Sequence, residues 1–162
     1  MPYGTCLTSS SQLNNLTDSV DLLARLIYGE AGNQSWAGKQ GVAFVASNRK
    51  NYDINNNSSY FGGTTYKSVI LYDTQFSGIW NNGYCPDTSG SAWSDSLYIA
   101  ENMATQSNPI GDCLWFVRND VFTANSRTHN GVLQYNFGAG WKNVTEYHVI
   151  DQQTFFLVTP VQ

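Results

Sequence analysis

Charge is scarce in this chain. Asp, Glu, Lys and Arg make up 12% of its 162 residues, and the 8 basic residues are outnumbered by 12 acidic ones. A net charge of -4 and a pI near 4.8 leave no basic footprint for nucleic acid. The same balance excludes electrostatic adsorption to an anionic wall polymer, so such a substrate must be held by groove contacts. No apolar run is long enough to cross a bilayer. Cysteines are few: Cys6, Cys85 and Cys113, an odd set that is no disulfide framework. Cys85 and Cys113 can pair and leave Cys6 spare, a choice that spacing does not decide. CxxC and HExxH spacings are missing, and no metal or cofactor is called for. Acidic loops such as the one around Asp73 are compatible with calcium without requiring it. The start, Met1-Pro2-Tyr3-Gly4, lacks the basic and apolar regions of a secretory leader.

What the chain has is apolar and aromatic matter. Hydrophobic residues reach 41% and aromatics 14%, including 5 Trp and 10 Tyr, enough for an ordered single domain with one core. Asn, Ser, Thr and Gly fill the remainder. Neutral amides beside aromatic rings suit carbohydrate, because sugars stack on rings and hydrogen-bond to amides, although most of the rings are expected in the core.

Residues 1–16 read as a polar, Ser-rich lead-in, and 17–162 as one domain. Thr17 or Asp18 caps a helix in which Val20, Leu22, Leu23, Leu26 and Ile27 recur near helical spacing, with Gly29 and Gly32 ending it. Ser35 caps a second helix running to Asn48-Arg49. The stretch from Asn51 to Gly63 reads as a loop. Tyr66 to Tyr72 is a short helix, Gln75 to Gly78 a loop, Asn81 to Gly90 a turn-rich crossing, and Ser91 or Ser94 opens a long helix through Met103 and Ala104. Leu114 to Val117 has strand character, and 118–140 is polar and glycine-punctuated. Tyr147 to Ile150 and Thr154 to Val158 form a terminal strand pair. The expected class is α+β, mainly helical, with a small antiparallel β portion near the C-terminus.

Tyr28-Gly29-Glu30-Ala31 closes the first long helix and is the strongest chemical signal. An ordinary glutamate is only ~0.2% protonated at pH 7. A carboxyl group shielded from water holds its proton to higher pH and can protonate a leaving oxygen, as glycosidic cleavage requires. The plainer reading is a solvated carboxylate, but helix C-termini disfavour negative charge. Neither Asp73 nor Asp112 sits in a recognisable partner motif, which favours a mechanism with a single acid.

Three segments together resemble the SleB/CwlJ-type cell-wall hydrolases, the spore-cortex-lytic family. They are Leu22 to Ala31 continuing through Gly38-Lys39-Gln40-Gly41-Val42-Ala43 to Asn48-Arg49, then Gln75-Phe76-Ser77, then Cys113-Leu114-Trp115-Phe116. The match runs from Leu22 to Phe156. The resemblance implies a lysozyme-like fold and cleavage of the peptidoglycan glycan strand between N-acetylmuramic acid and N-acetylglucosamine, with Glu30 as the acid. It also implies a place of action at the bacterial wall or spore cortex. Members include lytic transglycosylases, which form an anhydro-muramic end without adding water. Hydrolysis of the muramidase type, and a non-catalytic wall-binding module of a spore or phage, are the alternatives. Gln153 stands where the family's histidine is expected, with His148 upstream. The candidate substrate-binding residues are Tyr28, Asn48, Gln75, Ser77, Trp115, Phe116, His148 and Gln153, in a protein expected to act as a monomer on glycan strands. A Cys113–His148 thiol pair acting on peptide stems is a further alternative, but nothing near Cys113 looks like an activated nucleophile. His129 falls in a polar turn.

Overall fold

The computed structural model describes residues 2–162. Its centre is helix α2 (Ser19–Ala31), which follows a short α1 (Ser10–Asn14). The Asp18 carboxylate caps α2 by accepting from the Val20 and Asp21 amides. Leu22 through Ile27 are all buried, because α3 (Trp36–Asn55), α4 (Tyr66–Ile70) and α5 (Ser91–Glu101) surround this helix. Gly29 lies inside α2 and Gly32 forms its C-cap.

The C-terminal part is a five-stranded antiparallel sheet of order β1-β5-β4-β3-β2. Its strands are β1 (Trp115–Arg118), β2 (Ser126–His129), β3 (Val132–Asn136), β4 (Trp141–Ile150) and β5 (Gln153–Thr159), with the small helix α6 (Asn119–Ala124) after β1. Period-two alternation on β5 sends Phe155 into the helical core and Phe156 and Val158 into a second cluster with Phe122 and Tyr135. Gly41 of α3 lets that helix settle on the sheet, since a Cβ there would lie 2.6 Å from Phe155 Cζ. The fold is therefore the expected α+β arrangement, helical with an antiparallel sheet at the C-terminus.

Four local expectations are corrected. The polar lead-in is packed into the domain, with Leu7, Leu13 and Leu16 buried. Arg25, itself fully buried, draws this stretch inward by donating to the Thr5, Gly83 and Tyr84 carbonyls at 2.6–3.0 Å. That convergence also overturns the Cys85–Cys113 pairing, because it brings Cys6 to Cys85, which form the disulfide, and leaves Cys113 buried and free. Helix α3 runs on to Asn55 despite its Asn-rich end. The reason is tertiary: Asp53 is wholly buried and accepts from Ser58 Oγ and the Phe61 and Gly63 amides, so its anchoring overrides weak local propensity. Finally, 118–140 contains α6 and the β2–β3 hairpin, whose Asn130-Gly131 turn has φ of 52° and 78°. That pair suits a two-residue hairpin connection.

Candidate active site

Glu30 occupies the last turn of α2, and its surroundings depend on the residue before it. A Cβ on Gly29 would overlap the Gly78 carbonyl, with Gly78 C only 2.5 Å away; a Cβ on Gly78 would lie 2.5 Å from Gly29 C and O. The two glycines thus let the Gln75–Gly78 loop press directly on the helix backbone. In that position the Gly78 amide donates to Glu30 Oε1 at 2.7 Å.

Arg49 approaches from α3. It is buried, and its guanidinium lies 4.6 Å from the Phe76 ring centroid and 5.0 Å from that of Phe61. Nε donates to Leu114 O at 2.7 Å and Nη1 to Gln75 Oε1 at 3.1 Å. One cation thereby fixes the loop beneath Glu30 and the chain entering β1. Glu30, Arg49, Gln75, Ser77, Phe116 and Arg118 line a cleft of about 270 Å³, completed by Phe76, Val117 and Val121. Glu30 is the one carboxylate lining it among the described residues. Asp120, next to Arg118 in the fold, is engaged by that arginine in an exposed pair at 3.1 Å.

The electrostatics follow from burial. Desolvation raises the Glu30 pKa, and the Gly78 hydrogen bond and the Arg49 charge oppose it without cancelling it. Burial lowers the Arg49 pKa to about 10, with Glu30 and Tyr60 acting in the opposite direction. Arg49 is still cationic at neutral pH. Glu30 is accordingly a carboxyl group that keeps its proton above the usual range while an amide and a cation stand ready to hold its anion.

The cleft unites Glu30, Gln75, Ser77 and Phe116, which come from three separate segments. The other candidates lie elsewhere. Tyr28 is on the far side of α2; its hydroxyl accepts from the Asp87 amide, and it lines a separate hollow with Asn81 and Asn82. Asn48 donates to the Gly111 and Cys113 carbonyls, both at 2.9 Å, and so clamps the loop before β1. Trp115 faces the second cluster, against Phe137 and Phe156. The β1–β5–β4 register puts Gln153 and His148 on the Phe116 face of the sheet, but neither lines the cleft. His148 Nε2 is 2.7 Å from Glu146 Oε2. Cys113 does lie beside His148. Its thiol is no ready nucleophile, since burial and the Glu146 and Asp112 charges push it up to about 12. Arg49 and Arg118 were not singled out as site residues in the sequence. For Arg49 the signal was present: it falls three, four and seven residues after Ala46, Val45 and Val42, on the apolar stripe of α3, where an arginine needs a reason.

The sequence matches no protein-family model and no curated protein. Two solved structures share its architecture. One is the catalytic domain of the germination-specific lytic transglycosylase SleB from Bacillus anthracis, with a TM-score of 0.53 over 89% of this chain and 98% of that one, at 20% identity. The other is the catalytic domain of the Bacillus cereus SleB protein, with a TM-score of 0.52 over 94% and 97%, at 19% identity. The chain has the SleB catalytic-domain fold. Both likenesses span most of each chain.

Proposed function

We propose that the protein cleaves the glycan strand of peptidoglycan between N-acetylmuramic acid and N-acetylglucosamine as a lytic transglycosylase, with Glu30 as acid and then base. The observation that carries this reading is a single desolvated carboxylate, held by the Gly78 amide, in a cleft with no second carboxylate among the described residues. Two-carboxylate glycosidases need a partner Asp or Glu at a set separation. Transglycosylation does not. Protonated Glu30 gives its proton to the bridging oxygen as the bond from the muramic anomeric carbon breaks. The muramic C6 hydroxyl then attacks that carbon, and the Glu30 carboxylate takes the hydroxyl proton. The acid is regenerated, and the products are a glucosamine hydroxyl end and an anhydro-muramic end. Arg49 and the Gly78 amide stabilise the anionic interval between the two proton transfers. Gln75, Ser77 and Phe116 offer amide, hydroxyl and ring contacts to the sugars.

The fold shared with the SleB domains supports a peptidoglycan-cleaving enzyme acting at a cell wall or spore cortex. The cleft is built within one chain, so a monomer suffices. The deciding experiment is digestion of purified peptidoglycan or decoated spores, followed by mass spectrometry of the released muropeptides. Transglycosylation gives products lighter by one water than hydrolysis, and Glu30→Gln lowers the rate by about 10²–10⁴-fold. Fully hydrated ends from an active enzyme would rule out the single-acid route. Equal activity of the wild type and Glu30→Gln would remove Glu30 from the chemistry.

A further inference from the structure

We propose that Cys113, Glu146 and His148 bind a thiophilic divalent cation, zinc foremost, at a site separate from the Glu30 cleft. The thiol sulfur, one carboxylate oxygen and one imidazole nitrogen all lie within 4.8 Å of one another. The backbone brings them together by a specific device. Val144 pairs with Val158 on β5, yet Glu146 pairs with Leu157, so Thr145 is an extra residue in β4. Strict alternation would put Glu146 on the face of Val144, which packs in the second cluster. The bulge turns Glu146 and His148 to the opposite face, alongside Leu157 and Phe155 of the helical core. Cys113 sits there, in the loop entering β1.

That loop is held in place from both sides. Asn48 takes the Gly111 and Cys113 carbonyls, and the Asp112 amide donates to Glu146 Oε1 at 3.2 Å. Gly111, at φ +58°, leaves the space over the carboxylate that any Cβ would fill, since such an atom would fall on Glu146 Oε2. The thiol is buried, while the Glu146 and His148 side chains are 31% and 38% exposed, which leaves an entry route.

The donor set selects the ion. Sulfur, imidazole nitrogen and a single carboxylate suit zinc, whereas calcium and magnesium want oxygen ligands throughout. On binding, the cysteine releases its proton to solvent, the histidine binds through its neutral ring, and rotation of the Glu146 carboxylate admits the ion where the two side chains now touch. A thiolate and a carboxylate neutralise the charge of the dication, and water takes the fourth position. The ion would tie the start of β1, which carries Phe116 and Arg118 to the cleft, to β4.

The test uses the full chain, freed of metal by a chelator that is then dialysed away, with no thiol reductant so that the Cys6–Cys85 disulfide stays closed. Cobalt(II) titration is expected to saturate at one equivalent, with a near-ultraviolet thiolate charge-transfer band and the strong visible absorption of four-coordinate cobalt. Zinc(II) should bleach both and raise Tm by several degrees. Cys113→Ala abolishes the band, His148→Gln and Glu146→Gln weaken cobalt binding at least tenfold, and His129→Gln changes nothing. A missing charge-transfer band, or one that survives Cys113→Ala, overturns the site. Should Cys113→Ala fail to fold, the half-exposed His148→Gln decides, and unchanged cobalt affinity in that variant refutes the proposal. None of these readouts depends on glycan cleavage.

Discussion

The contact between Gly29 and Gly78 sets the geometry of Glu30, and Gly29→Ala tests it. By intrinsic propensity alone the change should stabilise α2 by about 1 kcal/mol, since the position lies inside the helix. The new Cβ, however, meets backbone rather than a flexible side chain: Gly78 C at 2.5 Å and Ile79 N at 3.0 Å. Overpacking of this kind costs about 1–3 kcal/mol. Relieving it by moving the loop gives up the Gly78 N–H bond to Glu30, a charge-assisted contact of about 1.5–3 kcal/mol. The net expectation is a loss of about 1–4 kcal/mol and, at about 2–4 °C per kcal/mol for a chain of this size, a Tm lower by several degrees. Gly78→Ala should behave alike, since its Cβ would lie 2.5 Å from Gly29 C. The double variant should cost clearly less than the sum of the two, because a loop displaced by one methyl has room for the other. Activity carries a second signature. The lost hydrogen bond is one that lowers the Glu30 pKa, so the alkaline limb of the pH–rate profile should move to higher pH as the maximal rate falls. Thermal denaturation of the four proteins and muropeptide release across pH provide the measurements. Strict additivity, or a Gly29→Ala enzyme as stable as the parent with an unmoved alkaline limb, would refute the reasoning.

Glu30→Gln should raise stability while lowering activity by about 10²–10⁴-fold, and the gain should depend on pH. The folded-state pKa of Glu30 is raised, so the folded chain binds more protons than the unfolded chain between the two values, and wild-type stability falls as pH rises through that window. Denaturant midpoints of the two proteins should therefore converge at acid pH and separate in favour of the variant toward alkaline pH, by at most about 1.4 kcal/mol per pH unit; a pH-independent difference would show that Glu30 is not desolvated. Arg49→Met leaves Leu114 O and Gln75 Oε1 without their donor and should cost about 1.5–3 kcal/mol or more in urea denaturation, with the alkaline limb of activity again moving upward. Arg49→Lys should not restore the parent, because a single ammonium does not reproduce the planar fork that serves both acceptors. Removing both Cys6 and Cys85 releases a 79-residue separation, worth about 4.5 kcal/mol by loop entropy, and should lower Tm by roughly 10 °C or more; an unchanged Tm would mean that the Arg25 contacts alone hold the N-terminal stretch.

What could be read from the chain was whatever depends on local pattern. The apolar spacing through Ile27, the Asp18 and Ser35 caps and the paired strands at the end all announced themselves, because a period or a capping residue is a short-range signal. The carboxylate at the end of α2 was visible for the same reason. The cleft around it was not, since it is closed by Arg49 and by a loop whose approach depends on two glycines 49 positions apart in number and in contact in space. The Asn-rich end of α3 misled because its helical state is imposed by the buried Asp53, not by propensity. The disulfide partner of Cys6 depended on a convergence of carbonyls on Arg25 that no spacing rule encodes. The face switch in β4 is of the same kind, because a bulge breaks the alternation by which strand faces are assigned.

These long-range features have a common physical logic at Glu30. A proton donor for a sugar oxygen must be poor at ionising before the bond breaks and tolerably stable as an anion afterwards. Burial alone would satisfy the first need and defeat the second. Here the opposing influences are one amide dipole and one cation, and both are fixed by packing: Gly78 by its contact with Gly29, Arg49 by two rings and two acceptors. Loosening either should therefore change the acidity of Glu30 before it unfolds the domain. For that reason the pH profile is the more sensitive probe, and stability the blunter one, in every substitution proposed around this carboxylate.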